Sequence, residues 1–246
     1  MTSNNQHPRL IGRILALLSL VLILSAVFAQ GFVSDRLIDY SSATNTANNI
    51  LAHQGLFRLG FTVYLIEMAC NVANTALWYV LLRPVNRSMA LVAAFIDLAG
   101  AVFKTFARVF FIAPLWVLLH TGSPVLSGFT SEQVQSIAMI LLRVNNTGAG
   151  VAMAFFGFSV TLYGYLIFRS TFLPRWLGVL QMICGLCWLT FLYPPLGSRV
   201  FTFAAPVGLL SVVVMILWLL IRGVDEGKWR LRAAAASDLC HLTSDI

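Results

Sequence analysis

TFAAPVGLLSVVVMILWLLIR, at residues 202–222, runs for twenty residues without a charge before it reaches Arg222. A helix of that length rises about 30 Å, which matches the hydrocarbon thickness of a bilayer. An amphipathic helix of a soluble protein would show a polar face; here only Thr202 and Ser211 interrupt the apolar residues. The stretch therefore reads as a membrane-spanning helix. Five further apolar runs precede it, at 11–33, 57–82, 89–119, 134–168 and 174–193. The run at 134–168 is long for one span, and its approach, 131–143, reads as an amphipathic start at the outer surface. The expected fold is all-α, a polytopic transmembrane helical bundle of six spans forming a single integral membrane domain over 1–246, with 223–246 as a tail.

Composition agrees. Of 246 residues, 59% are hydrophobic and only 10% charged, whereas a soluble domain carries roughly a quarter charged residues. A net charge of +7 would suggest nucleic acid in a soluble protein, but its distribution along the chain explains it without one. Arg9 and Arg13, Arg83 and Arg87, Arg169 and Arg175, and Arg222, Lys228, Arg230 and Arg232 fall on one side of the alternating spans. The opposite side holds only Arg36, Arg58 and Arg199, and the loop 120–133 has no Lys or Arg. Basic loops stay in the cytoplasm, so both termini are expected there. The first run also has a signal-peptide-like Val27-Phe28-Ala29 triplet; its continuation to Val33 favours an uncleaved anchor. In the loop 34–56, rich in Ser, Thr and Asn, a short surface helix is expected at 43–52.

Charged residues in hydrocarbon are costly and mark a functional site by default. At 100° per residue, Glu67, Asn71 and Asn74 share one stripe of the second span with Gly60 and Tyr64, and Asp97, Lys104 and Arg108 share one of the third. Arg143, with Asn146 and Thr147 close to its face, represents the fourth. Glu67 lies about 15 Å from the outer end of its helix and Arg108 about 16 Å from that of the next, so those two are expected to pair. Together Glu67, Asn71, Asn74, Asp97, Lys104, Arg108 and Arg143 form a candidate pocket for a small anionic or lipidic ligand, since guanidinium groups bind carboxylate or phosphate bidentately. A poorly paired Glu67 could titrate, as a proton-coupled carrier requires. The alternative is a scaffold, because paired charges and asparagines also join helices. An intramembrane enzyme is the third and weakest reading.

Nothing in the chain resembles a nucleotide loop, a zinc motif or a nucleophile elbow. No enzyme activity, cofactor, metal or nucleic-acid partner is expected; the expected surroundings are lipid, and the oligomeric state stays open. Cys184-Gly-Leu-Cys187 reads as packing residues in a span, with a redox pair as the weaker reading. His53 and His120 read as solvated loop histidines. Gly150, Ala154 and Gly157 make a small-residue face for close helix approach. Pro194-Pro195 and Gly197 are expected to close the fifth helix, and Pro114 and Pro206 to kink their helices. Trp229, among Lys228, Arg230 and Arg232, reads as an interfacial anchor of the tail.

Several stretches carry a family resemblance: Leu56-Phe-Arg-Leu-Gly60, Leu81-Leu-Arg-Pro-Val-Asn-Arg87, Tyr163-Gly-Tyr-Leu-Ile-Phe-Arg-Ser170, Leu173-Pro-Arg-Trp-Leu-Gly-Val179 and Leu217-Trp-Leu-Leu-Ile-Arg-Gly-Val224. In these the chain resembles the bacterial integral-membrane proteins grouped as domain of unknown function 4386. The resemblance implies about six membrane helices in a bacterial inner membrane and no assigned reaction. Relatives of this kind often carry histidines near positions 145–146 and 158–159; this chain has Asn145-Asn146 and Phe158-Ser159 instead.

Overall fold

The computed structural model describes residues 7–244, with side chains through 236. Cys240 and His241 therefore have no described side chains. Helix α1 spans Pro8–Leu37, α2 Ala43–Ala52, α3 Gln54–Leu82, α4 Arg87–Leu119, α5 Ser131–Arg169, α6 Arg175–Leu189, α7 Pro194–Ile221 and α8 Glu226–Ser244. Among the described residues there is no strand. Six helices are long and apolar enough to cross a membrane: α1, α3, α4, α5, α6 with its 3₁₀ extension to Leu192, and α7. The fold is thus all-α and polytopic, and α2 is the short helix expected at 43–52. Side chains such as Val102, Phe106, Phe203 and Ile221 stay 63–76% exposed. Such apolar outer faces suit lipid contact rather than water.

One boundary differs clearly from the sequence reading. Pro194 and Pro195 open α7, which begins eight residues before the apolar run at 202. Proline fits a first helical turn because the N–H it lacks has no partner there; the same residues that stop α6 therefore start α7. Helices α4 and α7 both continue through their prolines, Pro114 and Pro206. At its other end α7 stops at Gly223, whose φ of 70° is a left-handed conformation that glycine adopts without a Cβ penalty.

The chain forms two compact units. The first comprises Met1–Leu20, Cys70–Gly100 and Met153–Ile246. In it α5 and α6 meet backbone to backbone through glycines spaced by seven, Gly157 and Gly164 on one helix and Gly178 and Gly185 on the other. A Cβ built at Gly164 would lie 2.8 Å from the Gly178 carbonyl oxygen and 2.7 Å from the Met182 nitrogen. Gly185 sits between Cys184 and Cys187 for the same reason, facing Thr161 and the Gly157 carbonyl. The two thiols are unbonded, with Cys184 buried and Cys187 half-buried.

The tail helix of this unit is held from within. Trp229 is 2% exposed, and its indole N–H donates to the Leu81 carbonyl at 2.9 Å. Leu81 lies in the last turn of α3, where carbonyls lack an intrahelical donor. This corrects the expectation that Trp229 is an interfacial anchor: burial and a protein partner hold it. The Asp225 N–H donates to the Phe172 carbonyl, and Val224 packs against Gly12 of α1.

The second unit comprises Val21–Ala69 and Ala101–Ala152. Its core joins Ala29, Val33, Phe57, Tyr64, Phe111 and Leu142, among others. Phe57 stacks on Phe111 at 4.5 Å, and Tyr64 meets Phe111 edge-on at 5.3 Å. Gly60 lets α3 approach Val33, whose Cγ1 would lie 2.7 Å from a Cβ there. The segment Phe28–Ser34 widens into a π-helix, from which Gln30 and Ser34 both reach the Tyr64 hydroxyl.

Candidate functional site

The polar stripes of α3 and α4 face protein, as their period requires: Tyr64, Glu67 and Asn74 are buried on one helix, and Asp97, Lys104 and Arg108 on the other. The seven candidate residues divide into two groups, one in each unit.

In the second unit the Lys104 ammonium donates to Glu67 Oε1 at 2.6 Å, with both side chains at most 10% exposed. This corrects the expected Glu67–Arg108 pair. Arg108 is one helical turn from Lys104, and its guanidinium instead donates to Asn145 Oδ1 at 3.1 Å. It lies 3.5 Å over the Tyr64 ring, a cation–π contact that strengthens when dry. Arg108 is 4% exposed and its Nε has no hydrogen-bond partner. The second Glu67 oxygen is also buried without one. Glu67 lies within electrostatic reach of Arg108, but its bonded oxygen is taken by Lys104.

Arg143 is not part of this buried set. It is exposed and donates to the Tyr40 carbonyl at 2.9 Å in the loop above α2. Burial pushes the Tyr40 phenol above the usual tyrosine range, against the opposing pull of Arg108 and Arg143. In the same loop the Ser41 side chain and N–H and the Asn45 amide hold Asp39 below the usual carboxylate range.

Asn145 was missed, and Asn146 and Thr147, placed near the Arg143 face, are exposed. The missing signal was the phase of α5. Val134, Ala138 and Leu142 form its buried stripe, and the next inward position after them, three residues on, is 145.

In the first unit Asp97 is 7% exposed and is held by hydroxyls. Thr75 Oγ1 donates to one carboxylate oxygen, and Ser159 Oγ donates to the other at 2.8 Å. Asn71 is the third polar neighbour. Among the described residues Asp97 forms no ion pair. Asn74 turns instead to Ser19 of α1, its amide donating to the hydroxyl at 3.1 Å. Thr75 and Ser159 carry only a hydroxyl, which membrane helices also bond to their own backbone, and so fall outside a set of charged residues and asparagines.

Among the described residues no group of three or more His, Cys, Asp or Glu could hold a metal ion. His53 and His120 each bond the carbonyl four residues earlier, Asn49 and Trp116.

The family model described as Domain of unknown function (DUF4386) matches residues 14–223 of the 246. The chain belongs to the DUF4386 family. Both polar groups, the α5–α6 glycine contact and Leu81 fall inside the matched region, while Trp229 lies beyond it. No curated protein and no solved structure matches the chain. For this DUF4386 member the chemistry is thus carried by its own geometry: among the described residues, a guanidinium with no salt bridge in one unit, and a carboxyl held by neutral donors in the other.

Proposed function

We propose that this multi-pass membrane protein binds a small anionic or lipidic ligand at the buried guanidinium of Arg108, and carries it across the bacterial inner membrane. It acts without catalysis, and both termini face the cytoplasm. The observation behind the reading is the charge balance around Arg108. The nearby carboxylate is engaged by Lys104, so Arg108 rests on a neutral amide and an aromatic face. A buried charge without a salt bridge is expensive, and an anion reaching the buried, unbonded Nε would offset that cost.

Thermal stability of the purified protein in detergent, screened against anionic metabolites and lipids, tests this. A ligand that binds the folded state raises its melting temperature by mass action. The shift is expected in the native protein and in Arg143→Gln, and is expected to vanish in Arg108→Gln. The closed Glu67–Lys104 contact favours a second reading, a scaffold whose charges only join helices. That reading prevails if no ligand shifts the native protein and Arg108→Gln only melts lower.

A further inference from the structure

We propose that the cleft between the α5–α6 turn and α8 is a binding site for a phosphate-class anion, either free or as a lipid headgroup. The proposal is independent of the reading of Arg108, since no residue is shared.

The cleft has a volume of about 340 Å³ and is lined by Phe168, Arg169, Ser170, Thr171, Arg175 and Arg232. Ligand sites begin at roughly 300 Å³, so the space suits a headgroup rather than a single water. Three of its six lining residues are arginines and none is acidic. Among the described residues none of the three arginines forms an ion pair. The contrast lies in the same tail: Lys228 pairs with Asp225 and Arg230 with Glu226. Within α8, Lys228 and Arg230 thus have acidic partners and Arg232, which lines the cleft, has none among the described residues.

The arginines are brought together by folded elements. Arg169 ends α5 and Arg175 begins α6. The Arg175 guanidinium lies 5.9 Å from the Phe168 ring centre. Arg232 is half-buried and lies one turn beyond Trp229 on the same face of α8. The bonds Trp229–Leu81 and Asp225–Phe172 fix that face against the turn. Three like charges held in one cleft repel each other. A phosphate offers three acceptor oxygens and up to two negative charges, and guanidinium forks match its oxygens bidentately.

The full-length protein in maltoside micelles tests this at constant ionic strength. One arm titrates inorganic phosphate against chloride; the other dopes the micelles with phosphatidylglycerol or with phosphatidylcholine. The readout is melting temperature by tryptophan fluorescence, for the native protein, Arg169→Gln, Arg232→Gln and, as a control outside the cleft, Arg222→Gln. We expect stabilisation in at least one arm, half-saturation weakened about ten-fold or more by either cleft variant, and no change in Arg222→Gln. A response to phosphate identifies a free anion; a response to phosphatidylglycerol alone identifies a lipid headgroup. Absence of stabilisation in both arms, or a response that Arg222→Gln weakens equally, overturns the proposal. The unliganded melting temperature controls for folding, and if Arg232→Gln melts early the exposed Arg169→Gln decides.

Discussion

Replacing Glu67 by Gln removes one charge and almost no volume, so its effect isolates electrostatics. In the native protein Glu67 sits 2.6 Å from the Lys104 ammonium, with Arg108 in electrostatic reach of both, and all three side chains are buried. After Glu67→Gln the buried Lys104 ammonium, one turn from Arg108, has lost the carboxylate it pairs with. Breaking one partner of a buried pair costs about 3–5 kcal/mol. At about 2–4 °C per kcal/mol for a chain of this size, the melting temperature is expected to fall by about 6–20 °C. Removing both charges gives the opposite expectation, since neither member of the pair is then left as an uncompensated buried ion. Glu67→Gln with Lys104→Met is therefore expected to melt close to the native protein and well above Glu67→Gln alone. Circular dichroism in maltoside, over a salt series, measures all four corners of this cycle. A Glu67→Gln shift under about 4 °C, or a double variant that melts at the sum of the two single losses, would refute the claim that this pair is a closed, dry contact.

Trp229→Phe keeps an aromatic ring but loses buried volume and the indole N–H, which strands the buried Leu81 carbonyl; a loss of at least about 1–3 kcal/mol is expected, measured as earlier proteolysis of the tail. Gly164→Ala pushes a Cβ into the backbone of α6, which cannot yield as a side chain can. A loss of about 1–3 kcal/mol is expected, and a native melting curve would contradict the backbone contact. Asp97→Asn keeps an acceptor for Ser159 or Thr75 and removes a charge that meets no cation among the described residues. Its melting temperature is expected to equal or exceed the native one, and a drop larger than that of Glu67→Gln would count against the neutral-donor picture. The Lys228 N–H and side chain hold Asp225 below the usual carboxylate range, so its cap on α8 is present above the unfolded pKa of about 3.9. The cap is lost as pH falls through the folded value. Amide exchange in the first turn of α8, followed from pH 7 to pH 3 and corrected for intrinsic rate, is expected to lose protection only at the acid end, and to be unprotected throughout in Asp225→Ala.

Length and hydropathy determined the spans, because a helix crossing hydrocarbon must hide its whole backbone and so needs about 20 apolar residues in a row. Periodicity determined which way Glu67, Asp97, Lys104 and Arg108 face, since a stripe at 100° per residue is a property of one helix alone. The turn motif Leu81-Leu-Arg-Pro-Val-Asn and its companions pointed to the DUF4386 family. Partner choice was another matter. Whether Glu67 meets Lys104 or Arg108 depends on the axial offset between two helices, and the two cations are only one turn apart. Depth counted from uncertain helix ends does not resolve one turn. That Asn145 rather than Asn146 turns inward rests on the phase of a 39-residue helix, where a one-residue difference rotates a side chain by 100°. Pro194 and Pro195 stop one helix or start the next by the same chemistry. Only the tertiary structure decided that, and only it drew Trp229 inward to Leu81 and gathered Arg169, Arg175 and Arg232 around one cleft, because contacts between segments remote in sequence leave no periodic trace in either one.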